Sequence, residues 1–334
     1  MKKVLVLGGT GAMGLYLVPY LRRMGYAVDV VSLDKCTSDD PDLRYITGNA
    51  KDLTYLESLL KNGYDGIVDF LIYRTPEFRE RYQMFLEKTD HYIYLSSYRI
   101  YADSPVITET SPRLLDTATD PVYLASEDYS LYKARGEDIL HASPYGNYTI
   151  IRPAITFSKF RFQLVTLEAP VVVRRMKEGK AVLLPIQAKD IQATMSWAGD
   201  VAMMIARLLF APHAMKETYT LATAQHQSWG EVADYYREIG GLKACWIDKE
   251  DYISLIAGDG DEFRHLVTRW QLELDRLFTR VVDNRKILEA TGMKQADLMP
   301  VKEGLRREYE ALPADYVWPH SHINDAMDAW LMGK

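Results

Sequence analysis

The sequence predicts an α/β fold: a doubly wound parallel sheet with a smaller α/β domain drawn mainly from the C-terminal half. Three observations point there. An N-terminal apolar run leads into a glycine-punctuated turn and then a helical pattern. Short buried strands then alternate with helices as far as Pro153. Finally, 334 residues at 48% hydrophobic composition suffice for one large core and a smaller one.

The first segment, "KKVLVLGGTGAMGLYLVPYLRRMGYAVDVVSLDK", reads as strand, turn, helix, strand. Val4 to Leu7 is continuously apolar, as a strand buried on both faces requires. Gly8, Gly11 and Gly14 punctuate the turn, and Leu15, Val18 and Leu21 carry the helical pattern. Val28 to Leu33 forms a second buried strand, with Asp34 at its end. This spacing answers a specific demand. A pyrophosphate resting on a helix N-terminus needs unobstructed backbone N–H groups and close helix–strand packing, and glycine supplies both. An acid about twenty residues further on accepts bonds from a ribose, and its charge repels a 2′-phosphate. Asp34 therefore favours NAD over NADP.

Gly66 to Tyr73 and His91 to Ser97 read as buried strands, with a helix from Pro76 to Lys88 between them. "YRIYADSPVITETSP" reads as a loop, "EDYSLYKARGEDIL" as a helix, and Tyr148 to Pro153 as the next strand. Among 23 tyrosines, Tyr129 alone has a lysine, Lys133, four residues later, on the same helix face. "LSS" closes the preceding strand, and strand C-termini line the ligand crevice in such a sheet. A phenol of pKa ~10 is a poor base at neutral pH. A nearby ammonium and a nicotinamide cation stabilise the phenolate and bring it into range. Tyr129 is thus the candidate acid/base, Ser97 the group that positions the substrate oxygen, and Lys133 the tuning residue that also reaches the nicotinamide ribose. Tyr132 reads as packing.

The net charge of -6 is mild and evenly mixed, which disfavours non-specific binding to nucleic acid or anionic membrane. Cys36 and Cys245 stand alone, as expected of a reduced compartment without disulfides or structural zinc. No apolar run is long enough for a signal peptide or membrane span, so a cytoplasmic location is expected. His320 and His322 lack a third ligand nearby, and no metal is expected.

"LGGTGAMG", "YLSSYRIYAD", "YSLYK" and "TIIRPAITF" resemble, in order, the glycine turn, serine strand, tyrosine–lysine helix and Arg-Pro strand of extended short-chain dehydrogenase/reductases, the NAD-dependent epimerase/dehydratase proteins. "VDFLIYRTPEFRERYQMFLEKTDHYIYLSSYRIY" and "YTLATAQHQSWGEVADYYREIGG" are similar to an atypical branch containing chloroplast stem-loop-binding-like proteins. The resemblance implies a Rossmann-type domain over residues 1–155 plus about 186–223, and a substrate-binding domain over about 156–185 plus 224–334. It implies cofactor contacts at Gly8, Thr10, Gly11, Ala12, Met13 and Gly14, with Asp34 at the ribose and Asn49 and Ala50 at the adenine end. Leu71, Lys133 and Pro153 would lie on the nicotinamide side. It also implies a carbohydrate-like substrate, epimerase or alcohol/ketone redox chemistry, and a homodimer to which Leu131, Ile139 and Leu140 contribute.

Departures narrow these implications. Asp69-Phe70-Leu71-Ile72 replaces a smaller motif beside the nicotinamide, and Asn49 replaces an adenine-contacting aspartate. Ala193-Thr194-Met195 stands where nucleotide-sugar enzymes carry a diphosphate-binding arginine, leaving Arg161, Arg174 or Arg175 to take that part. Tyr98-Arg99 follows Ser97 where sugar 4,6-dehydratases place an Asp-Glu pair, which argues against dehydration. Arg264, Arg269 and Arg276 either line the cleft or sit on a helix surface. The competing class is a non-catalytic NAD-sensing or RNA-associated binding protein. The intact Ser97, Tyr129 and Lys133 set and the acidic net charge both weigh against it.

Overall fold

The computed structural model describes residues 1–333. Seven strands form one parallel sheet: β1 (Lys3–Leu7), β2 (Ala27–Ser32), β3 (Leu43–Thr47), β4 (Gly66–Asp69), β5 (His91–Leu95), β6 (Tyr148–Pro153) and β7 (Glu217–Leu221). Their spatial order is β7-β6-β5-β4-β1-β2-β3. In register, Val6 of β1 lies opposite Val30 on one side and Val68 on the other. The chain reverses its direction of travel between β1 and β4, and that switch opens a crevice above the strand C-termini.

β1 is fully buried from Val4 to Leu7 because each face meets a different helix layer. Val4 and Val6 pack with Leu17 and Leu21 of α1 (Gly14–Arg23) and with Val201 and Ile205 of the helix Ala198–Leu208. Leu5 and Leu7 pack with Leu56 of α2 (Leu53–Leu60) and Phe85 of α3 (Thr75–Glu87). A strand clamped this way has no polar face, hence the unbroken apolar run.

The remaining chain builds a second core around Val172, Leu183, Tyr236, Leu272 and Leu305. Its short sheets pair Ala181–Pro185 with Lys243–Ile247, and Ile155–Phe157 with Met195–Trp197. The expected loop after Ser97 contains a strand, Ser104–Ile107, paired in parallel with Arg280–Val282. Its sequence, Ser-Pro-Val-Ile, contains a proline and has no alternation, and only the distant partner makes it a strand. β4 stops at Asp69 rather than Tyr73, because the Asp69 carboxylate accepts the Leu71 N–H at 3.0 Å and turns the chain. The helix carrying Arg264 and Arg269 ends at Gln271 and passes into a π-helical turn, Leu272–Arg276. Among the described residues no helix is long and apolar enough to cross a membrane.

The fourth helix of the sheet region, α4 (Tyr129–Ala142), starts where the Asp128 carboxylate accepts the Ser130 N–H at 2.9 Å. Its Leu131 and Leu140 are fully buried within the chain and have no surface to give to a partner subunit. Only Ile139 of the three expected interface residues keeps some exposure.

Candidate functional site

The glycine turn connects β1 to α1 through very tight packing. Gly8 has φ +71°, a conformation that side chains resist. A Cβ on Gly14 would lie 2.2 Å from the Gly9 carbonyl oxygen, so α1 can reach the strand only because position 14 is glycine. Gly9 is a position the sequence reading passed over, and a Cβ there would meet Val6 and Val30 at 2.8 Å. A Cβ on Gly11 would meet nothing closer than 3.5 Å, and its backbone faces the open cleft. The turn thus presents bare backbone at a helix N-terminus, which fits a dinucleotide pyrophosphate. At the end of β2, Asp34 accepts the Thr10 hydroxyl at 2.6 Å, which holds the carboxylate beside the turn.

A cavity of about 380 Å³ runs from this turn along the switch-point crevice. Gly8, Gly11, Ala12, Met13 and Gly14 line one end, and Ser97, Tyr129 and Pro153 line the middle. Arg161, Gln163, Glu168, Asp275 and Arg276 close the far side. Thr10, Asp34, Asn49, Ala50, Leu71 and Lys133 lie outside this lining. Asn49 is exposed and caps its own turn by accepting the Lys51 N–H at 3.1 Å, whereas Ala50 is buried. Leu71 packs over Gly8, its Cδ2 3.3 Å from where a Cβ would stand.

Ser97 ends the β5 segment in extended conformation, and its hydroxyl accepts the Arg99 N–H at 3.2 Å. Burial pushes the Tyr129 phenol up, while a hydrogen bond with Ser97 and the charges of Arg161 and Arg99 pull it down. Asp275 pushes it up again. Two arginines are thus among the cations acting on the phenol. Lys133 is buried, donates to the Leu95 carbonyl, and has its ammonium 5.8 Å from the Tyr129 ring centre. Burial lowers the Lys133 pKa to about 8, against the opposing charges of Asp69 and Glu137. Asp69 is raised to about 6 by its own burial, although it accepts the Leu71 N–H and the Tyr92 hydroxyl. Tyr132 is buried and packs edge-on against Tyr129 at 5.4 Å between ring centres.

The sequence offered Arg161 and Arg276 among candidates for the cleft, and both line it, but it did not reveal Arg99, Arg280 or Asp275. Arg99 bonds Asp128, the cap of α4, at 3.0 Å and lies 3.7 Å from Asp275. Asp275 is buried and also pairs with Arg276 and Arg280. Of the three arginines placed on the later helix, only Arg276 reaches the cavity. Arg269 pairs with Glu250, and Arg264 meets His322 on the surface. Ala193, Thr194 and Met195 are buried, so none of them can receive a diphosphate. Among the described residues no group of three potential metal ligands occurs.

A parallel sheet ordered this way, with a glycine turn at its switch point and a tyrosine and lysine one helical turn apart beside it, defines a dinucleotide-binding α/β protein of the short-chain dehydrogenase/reductase type. The chain belongs to the NAD-dependent epimerase/dehydratase family, whose model matches residues 4–222. It is 25% identical over 257 residues to the chloroplast stem-loop binding protein of 41 kDa b from Arabidopsis thaliana, covering 72% of this chain and 64% of that protein. The fold matches Bordetella bronchiseptica WbmH in complex with NAD+ at a TM-score of 0.67, with 16% identity and 95% and 99% of the two chains covered. It also matches human epimerase family protein SDR39U1 with NADPH at 0.66, with 17% identity and 93% and 100% covered.

Proposed function

We propose that the protein is an NAD-dependent epimerase or alcohol/ketone oxidoreductase acting on a secondary alcohol of a carbohydrate-like substrate. The observation that carries this is the single cavity shared by the glycine turn, Ser97 and Tyr129. Backbone at Gly8, Gly11, Ala12, Met13 and Gly14, with the Thr10 hydroxyl, would hold the pyrophosphate, and Asp34 the adenosine ribose. Asn49 and Ala50 would border the adenine, and Leu71, Pro153 and Lys133 the nicotinamide ribose end. A bound nicotinamide would supply the hydride chemistry at the substrate carbon. Ser97 donates to the substrate oxygen and orients it. Tyr129 takes the hydroxyl proton as the carbon loses hydride, and gives it back on reduction. In an epimerase the keto compound would turn over in the cleft before its other face is reduced. Residues 1–155 with about 186–223 would form the nucleotide-binding part, and the remaining segments the substrate-binding part.

The test is to denature the purified protein and identify any released nucleotide by mass spectrometry. NAD at near one per chain supports an epimerase cycle, in which the cofactor is regenerated in place. An empty protein that binds added NAD supports a dehydrogenase or reductase. Binding of neither NAD nor NADP would refute the reading and bring forward a non-catalytic binding protein. Tyr129→Phe should keep nucleotide binding and lose about 10²–10⁴-fold in turnover.

A further inference from the structure

We infer that the substrate is an anionic polyhydroxylated compound, its carboxylate or phosphate within a few bonds of the reacting hydroxyl and gripped by Arg161, with Arg99 and Arg276 behind it. This rests on the reading of Tyr129 as acid/base.

The argument begins with charge. Four guanidinium groups, Arg99, Arg161, Arg276 and Arg280, stand at or directly behind the far wall of the cavity. Three carboxylates face them. Asp128 is bonded by Arg99, Asp275 is shared by Arg276 and Arg280, and Glu168 accepts the Gln163 amide. Arg161 is the one of the four without an ion pair, and Glu168 in the same wall pairs with no guanidinium. The side-chain hydrogen bond of Arg161 is to a neutral group, the Thr156 hydroxyl at 3.2 Å. A guanidinium turned into a cleft with no carboxylate of its own is a receptor for an oxyanion.

A second observation is independent of charge. Gln163 is 5% exposed and lines the cavity, yet its Oε1 is buried without a hydrogen-bond partner. The Arg99 Nε, by contrast, faces the Asp275 carboxylate at 3.7 Å. Buried polar atoms are rarely left without a partner. The orphan Gln163 carbonyl calls for a donor such as a sugar hydroxyl.

Position sets the third constraint. The Arg99 guanidinium lies 5.7 Å from the Tyr129 ring centre, and Arg161 acts on the same phenol. An anion held there sits beside the reacting carbon rather than at the far end of a long leaving group. The other arginines that could have served are engaged elsewhere, Arg174 with Glu178 and Arg175 with Asp328.

Isothermal titration of the full-length, NAD-loaded protein with D-glucose, D-glucuronate and D-glucose 6-phosphate tests this. At least one of the two acids should bind tenfold or more tightly than glucose. Preference for glucuronate assigns a carboxylate, and preference for glucose 6-phosphate a phosphate. Arg161→Gln, at a partly exposed position, should erase the margin while leaving NAD affinity unchanged. Absence of any anion preference, or its survival in Arg161→Gln, overturns the inference alone. Failure of the wild-type protein to bind NAD overturns the active-site reading and this inference with it.

Discussion

Glu137 of α4 and Arg152 of β6 form a buried ion pair, and removing its carboxylate should cost a large part of the protein's stability. Glu137 is 0% exposed and Arg152 4%. Two parallel bonds join them, Nε to Oε1 at 2.8 Å and Nη2 to Oε2 at 2.6 Å. Glu137→Ala leaves the guanidinium with the Tyr101 hydroxyl at 2.8 Å and the Glu109 carbonyl at 2.9 Å, both neutral. Breaking a buried pair from one side costs about 3–5 kcal/mol. The two surviving bonds place this case near the lower end, about 3 kcal/mol, against a typical total of about 5–15 kcal/mol. Urea unfolding followed by tryptophan fluorescence would compare wild type, Glu137→Ala, Arg152→Met and the double variant. The double variant should be less destabilised than Glu137→Ala, because it buries no unpaired charge. A Glu137→Ala loss below about 1 kcal/mol, or simple additivity in the double variant, would refute the reasoning. The pair also seats the helix bearing Tyr129 and Lys133 against the strand that ends at Pro153, so the same variant should lower turnover.

Two further outcomes follow from single contacts. In Gly14→Ala the new Cβ would stand 2.2 Å from the Gly9 carbonyl oxygen, which forces α1 off the strand. A loss of about 3 kcal/mol in stability, together with lost nucleotide binding, should appear in a thermal-shift titration with NAD. His91 is held neutral inside the sheet, its Nδ1 accepting the Phe210 N–H at 2.8 Å and its Nε2 paired with the Thr149 hydroxyl at 2.8 Å. Burial lowers its pKa from 6.5 to about 4. The folded state therefore binds fewer protons than the unfolded one below pH ~6.5, and the penalty grows as pH falls toward ~4. At 1.36 kcal/mol per unit, this reaches about 3 kcal/mol. His91→Gln should remove that slope, so denaturant midpoints of the two proteins should converge from neutral pH down to pH ~4. A constant difference between them across that range would contradict the assignment.

The parts of the site legible in the sequence are those whose geometry is local. The glycine turn needs only a strand, a bend and a helix in succession. The Tyr129–Lys133 pair needs only one helical turn behind an Asp128 cap. The cationic wall has no such local signature. Arg99 and Tyr98 meet Asp275 across more than half the chain, Tyr98 through its hydroxyl at 3.4 Å. Ser104–Ile107 and Arg280–Val282, the strands that bring those regions together, both lack a period-two pattern. Arg264, Arg269 and Arg276 are indistinguishable as sequence, but the helix gives way to a π turn at Leu272, which rotates the last of them toward the Val165 carbonyl and the cavity.

The charge of the cleft is a difference between groups from separate elements, and so cannot be read from any one of them. Asp275 alone would mark an acidic pocket, and its three arginines alone a strongly basic one. With Asp128 and Glu168 counted, the four arginines outnumber the carboxylates by one, and Arg161 is the one of the four without an ion pair. That residue follows Phe160 on a short connection with no motif of its own. On this proposal substrate choice would turn on long-range closure of the second core, while the proposed chemistry rests on two short stretches of the first.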